Sequence, residues 1–380
     1  MENIGYATFG VGGTGLTNQI FTFINSIKIA IMKEKDTLIC NNFVAELSEC
    51  NFIPASDVIN FRKLDIILKQ YNLKLLDRNY LQFEVLSINY GTDNHNINIT
   101  EDIMKQYYHK ESLIINKNID FNSFKGNPCP GKYKKLSIHY KLNNYYYCDI
   151  YNEVLDEDII YNFSNIPYIS VPKTKEEFHK LLPEFYDYKD KSFTRIPIWF
   201  NSIDETFFND ILVKLPYNSI FEKIVLTFLD KLDLSKNINI VHLRNESDML
   251  VSNVMNLRVD YNTYKNEVDN KFIDIFNKYI DKNDQTILLT YSKNDTVINY
   301  LKENNYSIFE RDRSFMYCRE LQAIIDLLIG DICNNIFIGA WNIDTKSGST
   351  FSYYLYKRIL KSKKTILIDL YNISSDEKIL

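Results

Sequence analysis

The segment INIVHLRNESD (238–248) sets His242 and Arg244 two residues apart at the end of an apolar run. Residues two apart on an extended strand share a face, so both side chains leave on one side. At the carboxyl end of a parallel strand that side opens on the crevice where such sheets bind ligands. Arginine is scarce here, 9 against 35 lysines, so its placement carries weight. A guanidinium meets an anion with paired hydrogen bonds, which suits the diphosphate of a departing nucleotide. Two plainer readings stand beside this one. Arg244 pairs with Glu246 or Asp248 of the same segment, and His242 is a structural histidine.

A second motif is the glycine loop GVGGTG (10–15), between a strand and a helix. Gly10, Gly12 and Gly15 fit G-x-G-x-x-G, which alone suggests a dinucleotide. That reading needs an acidic residue at the end of the following strand, to hold a ribose. The strand ends in Cys40-Asn41-Asn42, while Glu34 and Asp36 precede it at the wrong end. A tight turn for close backbone approach is the alternative. The third motif is Ser349-Thr350-Phe351, after the strand NIFIGAW (335–341) and before a helix. Backbone N–H groups and hydroxyls at a helix start make a phosphate site, and simple N-capping explains the same residues. Asp156-Glu157-Asp158 reads as D-x-D, a pattern that can hold a divalent ion on a diphosphate. In a chain this acidic and Asn-rich it reads as a solvated turn. A metal centre is not expected.

These motifs together resemble the fucosyltransferase superfamily, and the protein O-fucosyltransferases in particular. GGTGLTNQIF (12–21) resembles the family's opening turn, with Asn18 at the matching Asn and Gly13 and Gly15 in the turn. Leu16-Thr17 intervene between turn and Asn, and Thr14 stands where one branch has a catalytic Glu. HLRNESD matches the family's H-L-R at His242 and Arg244, with Asp248 at the downstream Asp. Ser349, Thr350 and Phe351 match the closing loop. The resemblance covers the first 40 residues and roughly 237–371. It implies a GT-B glycosyltransferase that moves a sugar, L-fucose from GDP-fucose by preference, to a hydroxyl with inversion. It implies that Arg244 holds the donor diphosphate and Asn18 orients donor or acceptor. Asp248 and Glu246 are the candidate bases, and a donor phosphate oxygen is the alternative to either. The family's guanine-reading Asp precedes the F-I-G strand, where this chain has Asn335. An Asn cannot reproduce that charged pairing, so uracil stays open as the base, with Asp326 and Asp331 as other acceptors.

The elements that must position these residues are most legible beyond residue 237. Apolar strands at 237–244, 285–292, 306–310, 335–341 and 365–371 alternate with helical spacing at 261–280, 295–304, 318–330 and 350–363. Strict alternation with near-continuous apolar strands predicts a parallel sheet covered on both faces. The N-terminus starts likewise, with strands at 4–10 and 36–42 around a helix at 18–35. From about 80 to 215 the pattern loosens. The expected architecture is α/β: GT-B, two Rossmann-like doubly wound domains facing a cleft, 1–225 on the acceptor side and 226–380 binding the nucleotide sugar.

Composition bounds the rest. Of 380 residues, 45% are hydrophobic and 24% charged, which excludes a disordered or fibrous chain. A net charge of −5 argues against a nucleic-acid surface. No apolar run reaches the roughly 18 residues of a membrane span, and no signal peptide opens the chain. Cys40, Cys50, Cys129, Cys148, Cys318 and Cys333 form no C-x-x-C pair, so reduced thiols are expected. Sequons at Asn245-Glu246-Ser247 and Asn294-Asp295-Thr296 would crowd the proposed site if glycosylated, which favours the cytoplasm. The expected partners are a nucleotide-sugar donor, as substrate and not cofactor, and a glycan or protein acceptor. A UDP-sugar transferase, a catalytically silent nucleotide-sugar or glycan-binding protein and a Rossmann oxidoreductase are the alternatives.

Overall fold

The computed structural model describes residues 4–7, 15–44, 52–109, 112–143, 145–162, 184–187, 193–195, 205–291, 295–311, 319–359 and 362–380. The chain opens with β1 (Ile4–Ala7), α1 (Leu16–Met32), β2 (Thr37–Cys40), α2 (Phe61–Leu68) and β3 (Lys74–Asp77). β1, β2 and β3 are parallel neighbours, with Ile4 opposite Thr37 and Thr37 opposite Lys74. Two antiparallel strands, Glu184–Asp187 and Phe193–Arg195, extend this sheet beyond β1.

α1 is buried along most of its length. Its internal hydroxyls are satisfied within the helix: Thr22 Oγ1 donates to the Asn18 carbonyl and Ser26 Oγ to that of Thr22. Leu38, Cys40 and Leu75 face the core that holds α1, while the alternate residues Ile39 and Leu76 face a second core. Among the described residues, what covers that second face is an antiparallel insert. β4 (Phe83–Thr92), β5 (His95–Asn98), β6 (Lys135–Leu142) and β7 (Tyr145–Asn152) form a sheet in the order β7-β6-β4-β5. A three-stranded sheet of Tyr108–His109, Ser112–Ile115 and Ile159–Asn162 joins it. Along β6, Leu136, Ile138, Tyr140 and Leu142 point inward and alternate with half-exposed or exposed polar residues, as a sheet with one wet face requires. Thr37 Oγ1 and Tyr147 Oη lie 2.9 Å apart and tie insert to sheet. Among the described residues, the first sheet thus carries α1 and α2 on one face and the antiparallel insert on the other.

α3 (Glu205–Lys214) and α4 (Ser219–Leu229) lead to the second unit. This consists of β8 (Ile238–His242), α5 (Ser247–Leu257), α6 (Tyr261–Tyr279), β9 (Gln285–Leu289), α7 (Thr296–Glu303), β10 (Ile308–Glu310), α8 (Arg319–Gly330), β11 (Ile336–Asn342), α9 (Thr350–Arg358) and β12 (Lys364–Ile368). The five strands are parallel in the order β10-β9-β8-β11-β12, with Lys378–Ile379 antiparallel at the edge. Ile240 and Phe337 face the core shared with α8 and α9; Val241 and Ile338 face the one shared with α6 and α7. The doubly wound sheet expected from the alternation is present. Its strand order reverses between β8 and β11, and such a reversal opens the crevice that binds ligands in open α/β sheets.

The two units share a continuous core. α1 and α3 pack on α9, and α4 on α8. Phe21 of α1 sits 6.1 Å from the Tyr353 ring and 5.8 Å from that of Tyr354 on α9. Residues 225 and 226, where the sequence suggests a division, lie within α4. No described helix is long and apolar enough to cross a membrane, and Cys40, Cys129, Cys148 and Cys333 are free thiols.

Candidate active site at the β8–β11 switch point

β8 is buried over its whole length and delivers His242 and Arg244 to the carboxyl edge of the second sheet. The edge is held down by its neighbour, for the Leu243 N–H donates to the Leu289 carbonyl at 3.1 Å. His242 is only 6% exposed. Its Nδ1 lies 2.6 Å from Ser352 Oγ, and its ring centre is 4.9 Å from that of Phe351. Both partners sit in the first turn of α9, which Ser349 caps by accepting the Ser352 N–H at 3.3 Å. Two motifs about a hundred residues apart in sequence therefore meet at one edge.

The turn into α9 needs Gly348. Its φ of +121° lies where a side chain is strained, and an added Cβ would come 2.9 Å from the Ala340 carbonyl oxygen. The Ser349 N–H then donates to that same carbonyl at 2.8 Å. Hydrogen-bond accounting also fixes the histidine. The Ala340 N–H donates to Ser352 Oγ at 2.9 Å. The Ser352 hydroxyl proton then has His242 Nδ1 as its partner, since the opposite arrangement would leave that buried proton unpaired. On this assignment His242 accepts at Nδ1. Ser352 was missed in the sequence reading. Its signal was the Ser349-x-x-Ser352 spacing of a capped helix; nothing local pointed to His242.

Arg244 is turned onto Glu246. Its Nη1 donates to Oε2 at 2.6 Å, with side-chain exposures of 17% and 13%. Glu246 Oε1 also accepts the Tyr291 N–H at 3.3 Å. The plainer reading of an ion pair within the segment is thus present in the structure, and it holds the guanidinium at the strand end. Beside it, Asn245 is 2% exposed; its amide donates to Asp269 at 3.1 Å, while its Oδ1 has no partner among the described residues. Asp248 belongs to α5, and its side chain lies outside the described residues.

Other expected site residues are distributed as follows. Gly15 precedes α1, while Gly13, with Gly10 and Gly12, lies outside the described residues. Asn18 is half-buried in the first turn of α1. It lies three residues before Phe21, hence on the helix face that meets α9. Thr350 is the first residue of α9. Asp326 is 3% exposed on α8 and accepts Arg311 Nε at 2.8 Å. Arg311 reaches the Gln322 carbonyl at 3.2 Å, and Gln322 Oε1 is 3.5 Å from the Oη of Tyr291, whose backbone N–H meets Glu246.

Asn335 is not brought to this edge. It precedes β11 and so sits at the amino edge, a strand length of about 13 Å from the His242 end. There Nδ2 donates to Asn239 Oδ1 at 2.9 Å and to Asp284 Oδ2 at 3.0 Å. The direction of a parallel strand fixes this: a residue before it cannot face a ligand beyond its carboxyl end. Asp331 is likewise engaged elsewhere, by Arg358 at the far end of α9. Asp156, Glu157 and Asp158 are exposed, and among the described residues no group of three or more His, Cys, Asp or Glu could hold a metal.

No family model matches the chain, and no curated protein matches it. Among solved structures it is similar to POFUT1 in complex with GDP, at 12% identity over 94% of this chain and 95% of that one, TM-score 0.47. POFUT1 in complex with GDP-fucose is similar at 14% identity over 93% and 94%, TM-score 0.47. The fucosyltransferase NodZ from Bradyrhizobium is similar at 15% identity over 47% and 53%, TM-score 0.32. At such identities and TM-scores the likeness assigns neither donor nor activity to this chain.

Proposed function

We propose that the chain is a glycosyltransferase that uses a nucleotide-diphosphate sugar. The observation that carries this reading is the meeting of the β8 end with the capped start of α9, through His242 and Ser352 at the strand-order reversal. An anion there meets a guanidinium, an imidazole and a helix start.

In this reading an acceptor hydroxyl attacks the anomeric carbon from the face opposite the leaving group. The bond to the nucleotide diphosphate breaks, and its electron pair leaves with the diphosphate. Arg244 and the α9 start stabilise that growing charge; one preorganised donor of this kind contributes roughly 100- to 1000-fold in rate. Glu246 orients Arg244, which leaves Asp248 or a donor phosphate oxygen to take the acceptor proton. Asn18 acts from the α1 face that meets α9. GDP-fucose is the preferred donor because of the H-L-R resemblance alone, and with Asn335 at the amino edge the base is read by other groups.

One observation favours a silent binding protein instead: Arg244 is already neutralised by Glu246. A donor assay separates the two. Purified protein is incubated with GDP-fucose, other GDP-sugars and UDP-sugars, in EDTA, with and without mixed saccharide acceptors. Release of GDP or UDP from one donor supports the transferase. Donor binding without any release supports the silent binder.

A further inference from the structure

A pocket of about 450 Å³ opens at the carboxyl end of β3, lined by Ser56, Asn60, Phe61, Arg62, Leu75, Leu76, Asp77, Tyr80, Asn143 and Asn218. It lies two strands from β1 in the first sheet, and its volume falls in the range of roughly 300–1,000 Å³ typical of small-molecule sites.

Its polar groups are part fixed and part free. Asp77 is 4% exposed and held in place by the N–H groups of Ser56 and Asn79, both at 2.8 Å. Asn60, Asn143 and Asn218 each use their carbonyl oxygen on a backbone N–H, of Lys63, Gln82 and Ile220. That points the Asn60 and Asn143 amide donors, which have no partner among the described residues, away from the frame. Arg62 is exposed and its guanidinium likewise has no partner among the described residues. Phe61 and Tyr80 add apolar ring surface, Phe61 being braced in a stack on Phe23 at 6.4 Å.

Charge decides what fits. A phosphate or carboxylate would meet Asp77, with Asp57 close behind; partial burial and the Asp77 charge raise the Asp57 carboxyl above its usual range. A cation would meet Arg62. A neutral molecule with alternating donors and acceptors and one apolar face satisfies the whole lining. We infer that this pocket binds a neutral saccharide, which on the transferase reading is the acceptor.

The test titrates the full chain, by saturation-transfer NMR and calorimetry, with glucose, galactose, N-acetylglucosamine and their β-linked disaccharides. Inorganic phosphate and methylammonium serve as charge controls, and GDP and UDP report on the β8 edge. Arg62→Ala and Tyr80→Ala alter exposed side chains and should fold. The expected result is binding of at least one neutral saccharide, weakened about tenfold or more in each variant, with no binding of the charge controls and unchanged nucleotide binding. The inference is overturned if no saccharide binds, if both variants bind as well as the wild type, or if phosphate displaces the sugar. Nucleotide binding without saccharide binding sinks the pocket and spares the transferase. Saccharide binding without nucleotide binding does the reverse.

Discussion

The two sheets present the same edge to the solvent and differ in what surrounds it. In the second unit the β8 edge is built from consecutive βα turns: strand, loop and helix follow within about ten residues, and His242 meets Ser352 across the reversal. In the first unit the edge at β3 is completed from afar, by Asn143 in the β6–β7 turn and Asn218 before α4. A site made by adjacent turns favours a ligand common to many proteins, such as a nucleotide. A site completed by an insert is free to vary with the chain. In the proposed reading the second unit handles the donor and the first the acceptor, and each can be disturbed separately.

The largest expected effect is at Arg244. Arg244→Ala should cost about 100- to 1000-fold in turnover with the fold intact by circular dichroism, because Arg244 pairs with Glu246 at a partly exposed strand end and not in the core. Near-normal turnover in the folded variant would remove the second unit from donor chemistry. Ser352→Ala comes next. It strips the donor from His242 Nδ1 and the acceptor from the Ala340 N–H. The expected outcome is about tenfold slower turnover with KM little changed, a displaced pH profile as the imidazole loses its fixed tautomer, and a stability loss of about 1–3 kcal/mol. A stability loss with an unmoved pH profile would reduce Ser352 to a structural cap.

How much of this was legible in the sequence differs between the same two regions. Parallel strands buried on both faces read as unbroken apolar runs, so IVHL and FIGAW stood out together with the helices between them. The insert was not legible as a layer. LSIHYKL alternates cleanly along β6, but which face of which sheet it covers is settled by long-range pairing that no local pattern encodes. His242 and Arg244 were found because strand alternation is local; Ser352 was missed because its partner is 110 residues away. Asn335 sits at the amino edge because it precedes its strand, a direction that the resemblance to the family's Asp does not take into account.

Asn335 therefore carries the third prediction. Asn335→Asp should leave the GDP-against-UDP preference unchanged, since the residue braces Asn239 and Asp284 at the amino edge. It should lower stability by about 1 kcal/mol, because a carboxylate then faces Asp284. A tightened GDP affinity in a competition assay would return Asn335 to the donor site.

The smallest effect concerns the C-terminal clasp. Lys278, with Tyr279 and Lys271, lowers the Glu377 carboxyl to about 2 from its usual 4.5. A carboxyl lowered on folding adds stability that is full above the unfolded value and lost as pH falls through the folded one. Glu377→Gln should lower Tm by about 2–4 °C at pH 7, for a loss of about 1 kcal/mol, and the gap to wild type should close between about pH 4.5 and 2. A gap independent of pH would mean that the clasp works by packing alone.

The central claim is that the β8 edge binds the diphosphate of a nucleotide, and calorimetry tests it most directly. GDP and UDP are titrated separately into the wild type and into Arg244→Ala. The account expects at least one of them to bind the wild type, and that binding to fall by tenfold or more in the variant. Absence of binding by both nucleotides, or equal affinity in wild type and variant, would contradict it.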